Sequence, residues 1–246
     1  MALTPERIVL VTGASRGIGA EVALRFATPG THVIVHYREK SRHAESIADT
    51  IRDLGGQAST LAADLSTDTG AAAMVDTVAA RFGRLDALVL NASGGFGGAV
   101  DPGYAMRLNR DAQKRLATLA MPLMPTGARI VYVTSHQAHF FPDKAVPKGY
   151  AAVAVSKRAG ETALYAMRPD FERAGIHLTV VSGDMIDGTT MLRLLQRRDP
   201  ELTEARRAQM PLPAVDEFAS AIVSAATTAS APGTVYVGGA DYLMTA

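Results

Sequence analysis

Short runs of β-branched and other apolar residues alternate along the chain with longer, alanine-rich stretches whose apolar positions recur at helical spacing. Arg7-Ile-Val-Leu-Val-Thr12 reads as a buried strand, and Gly17 to Ala27 as the helix after it. Thr31-His-Val-Ile-Val-His36 predicts a second strand, and Ser41 to Leu54 a second helix. Gln57 to Ala63 and Thr67 to Phe82 repeat the pair, and Leu85-Asp-Ala-Leu-Val-Leu90 follows. Ala128 to Thr134, a long helix across Lys157 to Ala174, Ile176-His-Leu-Thr-Val-Val181 and Gly233-Thr-Val-Tyr-Val-Gly238 complete the series. Strands apolar on both faces, alternating with helices, predict a parallel sheet with right-handed crossovers. The expected fold is α/β: one Rossmann-type doubly wound domain across residues 1–246, with about seven parallel strands flanked by helices.

No stretch reads as a linker, and no repeat or low-complexity tract interrupts the pattern. Between residues 184 and 213 it changes, with Arg193, Arg197, Arg198, Arg206 and Arg207 set on an apolar helical frame. Charges so spaced predict a solvated helical face. The position after a central strand predicts a substrate lid, and one segment can be both.

Composition narrows the function. A chain of 246 residues, 48% of them hydrophobic, can bury a core without disulfides or a metal. Cysteine is absent, which excludes thiol catalysis and zinc-thiolate sites and fits a reducing cytoplasm. The 25 Lys+Arg against 24 Asp+Glu leave a net charge of +1, so no basic face for nucleic acid or polybasic membrane patch is expected. No run approaches the roughly 18 apolar residues of a membrane helix, and Met1 to Arg7 does not read as a signal peptide. The expectation is a cytoplasmic protein whose partners are small molecules.

The most informative segment is Val11-Thr12-Gly13-Ala14-Ser15-Arg16-Gly17-Ile18-Gly19, which follows the first strand and opens the first helix. That is the context a phosphate-binding glycine loop needs. Gly13 allows the tight turn, Gly17 the close approach of a phosphate, and Gly19 close helix–strand packing. A pyrophosphate there would meet the free N–H groups and positive end of the helix.

Several ordered motifs together resemble the short-chain dehydrogenases/reductases. Thr12-Gly-x-x-x-Gly-x-Gly19 resembles the family's cofactor loop, and Asp64-Leu65 the pair that holds the adenine. Asn91-Ala92-Ser93-Gly94 resembles its Asn-Asn-Ala-Gly motif, with two departures. Asn109 falls at the family's helical asparagine, Ser135 at the catalytic serine, and Ser156-Lys157 at the end of its Tyr-x-x-Ser-Lys motif. Gly238-Gly239 resembles the glycines closing the last strand. The resemblance runs from about residue 7 to 240 and implies a nicotinamide cofactor held by Gly13, Ser15, Arg16, Gly17, Ile18, Gly19, Asn91, Ala92, Ser93 and Lys157, and a homodimer or homotetramer. Ser182-Gly183-Asp184-Met185 replaces the family's Pro-Gly run, with the backbone at Gly183 and Met185 expected beside the nicotinamide carboxamide.

An acidic residue ending the second strand would bind a ribose 2′-hydroxyl and repel a 2′-phosphate. Here stands His36-Tyr37-Arg38, with Arg16 in the loop opposite. Arg16 and Arg38 can converge on a phosphate as charge-assisted donors. The run resembles that of NADP(H)-using pteridine reductases, so NADP(H) is expected over NAD(H).

In the family a tyrosine exchanges the proton while hydride passes between nicotinamide and a carbonyl carbon; the serine binds the carbonyl oxygen, the lysine the ribose, and the asparagine supports the lysine. This sequence reads Tyr150-Ala-Ala-Val153-Ala-Val-Ser156-Lys157, with valine where the tyrosine belongs. On a regular helix Tyr150 shares the face of Lys157 but starts about 10.5 Å away along the axis. Pro147 and Gly149 precede it, so a loop conformation can bring it in; His136 and His139 are alternative acids on the same loop. No carboxylate pair accompanies these histidines at helical spacing, and no metal site is expected. The candidate catalytic set is therefore Ser135, Lys157, Asn109 and Tyr150. Pocket walls are expected from Ser93 to Pro102, His136 to Tyr150 and residues 184–213, where Phe96, Phe140, Phe141, Met185, Met191 and Leu192 imply an apolar ligand. The resulting reading is an NADPH-dependent reductase of a ketone on an apolar, polycyclic or polyketide-like molecule, with an altered proton donor. The alternative is a catalytically idle NADP(H)-binding sensor or subunit.

Overall fold

The computed structural model describes residues 5–97, 101, 103–229 and 231–239. Residues 98–100 and 102, part of the expected pocket wall, lie outside the described residues. Strands β1 (Arg7–Val11), β2 (Thr31–Tyr37), β3 (Gln57–Ala62), β4 (Ala87–Leu90), β5 (Arg129–Ser135), β6 (His177–Gly183) and β7 (Thr234–Val237) form one parallel sheet in the order β3-β2-β1-β4-β5-β6-β7. All seven strands begin and end within two residues of the positions expected from the apolar runs. The strand order reverses between β1 and β4, and at such a switch point the loops leaving the two strands diverge and open a crevice.

Successive side chains on a strand point to opposite faces, and the sequence uses this to build two cores. Ile8, Leu10, Leu88, Leu90, Ile130 and Tyr132 face one way. They pack there on α3 (Asp68–Phe82), α5 (Ala112–Ala120) and α7 (Ala151–Ala166). Val9, Val11, Val33, Val35, Val131 and Val133 face the other way. They meet α1 (Gly17–Arg25), α2 (Ser41–Asp53) and α11 (Val215–Thr227), whose alanines let the helices lie close. Burying each such side chain contributes about 1.5–3 kcal/mol.

The remaining helices are α4 (Tyr104–Met106), α6 (His136–His139), α8 (Arg168–Arg173), α9 (Thr190–Arg198) and α10 (Pro200–Gln209), of which α4, α6 and α9 contribute residues to the crevice walls. Between α4 and α5 the chain makes a π-helical turn over Arg107–Asp111, a widened turn of the kind found at functional sites. It presses the Asn109 carbonyl against α7 at Gly160, where a Cβ would come within 2.1 Å of that oxygen.

Two expectations are corrected. The long helix begins at Ala151 rather than Lys157 and breaks at Met167, giving α7 and α8 instead of one helix to Ala174. Pro169 in the first turn of α8 explains the break, because proline disfavours a helical residue before it. The start lies two residues after Gly149, whose φ of +78° ends the preceding loop. The second correction concerns the arginines of residues 184–213. Arg193, Arg197, Arg198 and Arg207 are exposed, as a solvated face requires, but Arg206 is buried and ion-paired with Asp184 just beyond β6. Arg206 also donates to the Met210 carbonyl at 3.2 Å, so it pins α10 to the sheet.

Candidate active site

The turn after β1 is held by β4. The Thr12 hydroxyl donates to the Val89 carbonyl at 3.0 Å and accepts from the N–H groups of Asn91 and Ala92 at 2.9 and 3.0 Å. The Asn91 amide donates back to the carbonyls of Thr12 and Gly13 at 2.9 and 3.3 Å. From β2, His36 Nδ1 accepts the Gly13 N–H at 3.0 Å, which leaves Nε2 to donate to the Ala63 carbonyl at 3.1 Å. Burial pushes the His36 pKa down to about 4, so this neutral tautomer persists at physiological pH. His36, expected as a cofactor contact, thus lines the crevice and shapes the loop as well.

Gly17, at φ +57°, has open space where a Cβ would stand, and Arg16 caps α1 without a side-chain hydrogen bond. The first N–H groups of α1 are therefore uncapped by any side chain, as an anion site requires. They face a crevice of about 480 Å³ lined by Gly13, Ser15, Arg16, Gly17, Ile18 and Gly19 on one side. His36, Tyr37, Arg38, Asp64 and Leu65 line it on another, and Asn91, Ala92 and Ser93 close it. Arg38 reaches across to the Tyr104 hydroxyl at 2.5 Å and pairs with Glu39 at 2.8 Å. Hydrogen bonds from Ser66 hold the Asp64 carboxyl below its ordinary range. Cavity, bare helix terminus and glycine gap together fit a dinucleotide.

A second cavity of about 170 Å³ continues from the first, sharing Ile18, Asn91, Ser93, Thr189 and Met191. Its polar end holds Ser135, Tyr150 and Lys157; Val153, Met185, Ile186, Leu192, Leu195 and Phe218 make the rest mainly apolar. The Ser135 and Tyr150 hydroxyls lie 2.8 Å apart. Tyr150 immediately precedes α7 in a helical conformation, its carbonyl accepting from the Ala154 N–H at 2.9 Å. The helical spacing to Lys157 therefore holds, and it is toward Ser135 rather than the lysine that the phenol reaches. Its ring packs with Ala138, Val153, Ala154 and Leu195. Burial pushes the Tyr150 phenol up, and the Ser135 hydrogen bond offsets part of that.

Lys157 is buried and donates to the Val133 carbonyl at 3.3 Å; burial lowers its pKa to about 8. Asn109 accepts from the Gly94 N–H at 3.2 Å and donates to the Gly94 carbonyl and the Ser156 hydroxyl, both at 2.9 Å. It ties the loop after β4 to α7, one residue from the lysine. Gly183 is absent from the cavity walls and packs on Phe218, while Asp184 and Met185 line the cavity.

The two histidines of the loop are turned elsewhere. His136 is buried against the Ser182 hydroxyl and the Gly238 carbonyl, and half-buried His139 contacts Glu161 and Tyr236. Neither lines the cavity, so both lose their place as alternative acids. Among the described residues no group of three or more potential metal ligands occurs, and no helix is long and apolar enough to cross a membrane. Sequence reasoning missed Tyr104 and Thr134, and reached Gln137 and Asp184 only as members of the stretches expected to wall the pocket.

Residues 7–199 match the short chain dehydrogenase family. The 1-cyclohexenylcarbonyl-CoA reductase of Streptomyces collinus is 35% identical over 76% of this chain and 67% of its own. The hydroxynaphthalene reductase arp2 of Aspergillus fumigatus is 30% identical over 72% of this chain and 65% of its own. The chain thus spans about two thirds of the length of these relatives. A short chain dehydrogenase from Burkholderia cenocepacia, solved in complex with NADP, is 29% identical with a TM-score of 0.83, covering 97% of this chain and 99% of that one.

Proposed function

The chain belongs to the short chain dehydrogenase family, an oxidoreductase family, and on that premise we propose that it is an NADPH-dependent ketoreductase acting on an apolar cyclic ketone. The observation that carries the reading is the 2.8 Å pairing of the Ser135 and Tyr150 hydroxyls at the polar end of an apolar cavity continuous with the nucleotide crevice. The pairing restores a phenol to the serine although Val153 occupies the usual position.

The uncapped start of α1 and Gly17 would hold the pyrophosphate. Arg16, Arg38 and Lys40 line the same crevice and favour a 2′-phosphate, and the Burkholderia relative was solved with NADP. Lys157 would hold the nicotinamide ribose, with Asn109 fixing the adjoining loop. Bound NADPH supplies the hydride. Ser135 would donate a hydrogen bond to the carbonyl oxygen, and Tyr150 would give that oxygen its proton. A buried phenol with a raised pKa stays protonated at neutral pH, as a proton donor must. The names of the two reductases, one cyclohexenyl and one naphthalene, agree with a ring in the substrate.

The test is NADPH consumption against cyclic ketones and quinones, by wild type and Tyr150→Phe. Turnover by wild type and a loss of roughly 10²–10⁴-fold in the variant are expected. Near-wild-type rates would remove Tyr150 from the chemistry. Cofactor binding with no turnover of any ketone would favour the idle binding protein, and tighter binding of NADH than NADPH would reject the cofactor assignment.

A further inference from the structure

Arg38 follows the end of β2 in the wall of the nucleotide crevice, and two groups compete for its guanidinium. Glu39, the next residue, takes one N–H at 2.8 Å, and its side chain is 65% exposed. The Tyr104 hydroxyl accepts another at 2.5 Å, from 66 positions further along the chain. Arg38 and Tyr104 both line the crevice, so their contact spans it from the end of β2 to α4. The tyrosine cannot easily follow the arginine outward. Its ring is seated on Gly94, where a Cβ would come within 2.9 Å of Tyr104 Cε1, and Asn109 bonds both the N–H and the carbonyl of Gly94. The two partners treat the charge differently. A carboxylate offsets the guanidinium charge and repels a phosphate beside it, whereas a phenol oxygen holds the guanidinium and leaves its charge in place. A guanidinium has five N–H donors, so those not engaged by Tyr104 and Glu39 remain for a ligand.

We propose that Tyr104 is a positioning residue that sets cofactor specificity: it holds the Arg38 guanidinium across the crevice against the pull of Glu39. A phosphate monoester on the adenosine ribose then meets a cation rather than a closed Arg38–Glu39 ion pair. The preference for NADPH over NADH therefore depends on a residue of α4, far along the chain from the β2 end that carries the arginine. This deepens the NADPH assignment and rests on it. Binding of the phosphate makes and breaks no covalent bond.

The experiment is calorimetric titration with NADPH and with NADH of wild type, Tyr104→Phe, Glu39→Gln and the double variant. Phenylalanine keeps the ring on Gly94, so only the hydroxyl is lost. Wild type should bind NADPH more tightly than NADH. Tyr104→Phe should lower the ratio of NADPH to NADH affinity roughly threefold to tenfold, the worth of one hydrogen bond, and leave NADH affinity unchanged. Glu39→Gln removes the competitor, so the ratio should rise there, and Tyr104→Phe should cost less in that background than in wild type. A Tyr104→Phe variant that weakens both cofactors alike would show a merely structural role and overturn the proposal. A ratio unchanged by Tyr104→Phe also overturns it, as does an equal cost of that substitution with and without Glu39. In each of these cases a wild type that prefers NADPH leaves the cofactor assignment standing. Tighter binding of NADH by wild type, or no binding of either cofactor, overturns assignment and proposal together.

Discussion

The two halves of the sheet make their sites by different means. On the β1–β4 side the crevice is tied through backbone groups. Thr12, Asn91 and His36 bond to N–H and carbonyl groups of the turns, and each of these contacts joins consecutive loops at one switch point. On the β5–β7 side the cavity is closed by side chains that meet from distant segments. Ser135 meets Tyr150, and Asp184 meets Arg206. Backbone ties constrain the loop whichever small ligand sits in it, which suits a shared cofactor. Side-chain ties change with single substitutions, which suits a site whose substrate varies among relatives.

Cutting one side-chain tie should have the largest effect. Asp184 and Arg206 are both buried, and the ion pair ties α10 to the loop after β6. Arg206→Met leaves a buried carboxylate without its cation and should lower unfolding free energy by about 3–5 kcal/mol. The exposed Arg38–Glu39 pair on the nucleotide side should be worth at most about 1 kcal/mol. Urea unfolding of Arg206→Met and Glu39→Gln measures the contrast. Equal, small losses would mean that the substrate half is not held together in this way.

The same difference decides what could be read from the sequence. Every strand was legible because apolar runs of four to seven residues are local, and strand boundaries fell within two residues. The glycine loop was legible because Gly13, Gly17 and Gly19 report backbone geometry directly. Tyr150 was only half legible: its distance from Lys157 followed from helical spacing, but its reach to Ser135 depends on the turn at Gly149. The start of α7 was hidden by β-branched Val153 and Val155, which carry a weak helical signal. Arg206 read as solvated because its partner lies 22 positions upstream, beyond any local pattern.

The buried bases of the two halves should respond to pH in the same direction but in separate windows, each adding stability as pH rises. His36 has its pKa lowered from 6.5 to about 4 in the folded protein. Its stabilisation is complete above pH 6.5 and is lost as pH falls toward 4, because the unfolded chain then binds the extra proton. Lys157 is lowered from 10.5 to about 8. Below pH 8 the folded protein bears the full penalty of a buried cation, and stability rises with pH between about 8 and 10.5. Each shift corresponds to about 3 kcal/mol. Wild type should lose more stability than His36→Gln between pH 6.5 and 4. Lys157→Met should exceed wild type at pH 7 and converge with it toward pH 10.5. Chemical denaturation across pH reads both, and parallel curves for either pair would remove that group from the account.

A pair of glycines gives the smallest and most direct contrast. At Gly19 a Cβ would lie 2.5 Å from the Gly13 carbonyl oxygen and 2.5 Å from the Asn91 amide nitrogen, itself tied to two carbonyls. Nothing there yields easily, so Gly19→Ala should cost about 1–3 kcal/mol and weaken NADPH binding. At Gly149 a Cβ would lie 2.8 Å from the Arg198 Nε, the end of a long and mobile side chain. There Arg198 can swing aside, leaving the left-handed backbone at φ +78° as the main cost, about 1 kcal/mol. NADPH affinity should stay unchanged in Gly149→Ala, while ketone turnover falls as Tyr150 loses the turn that positions it. A Gly149→Ala variant that loses NADPH affinity as Gly19→Ala does would show the two halves to be one rigid unit, and the division between backbone-held and side-chain-held sites would no longer apply.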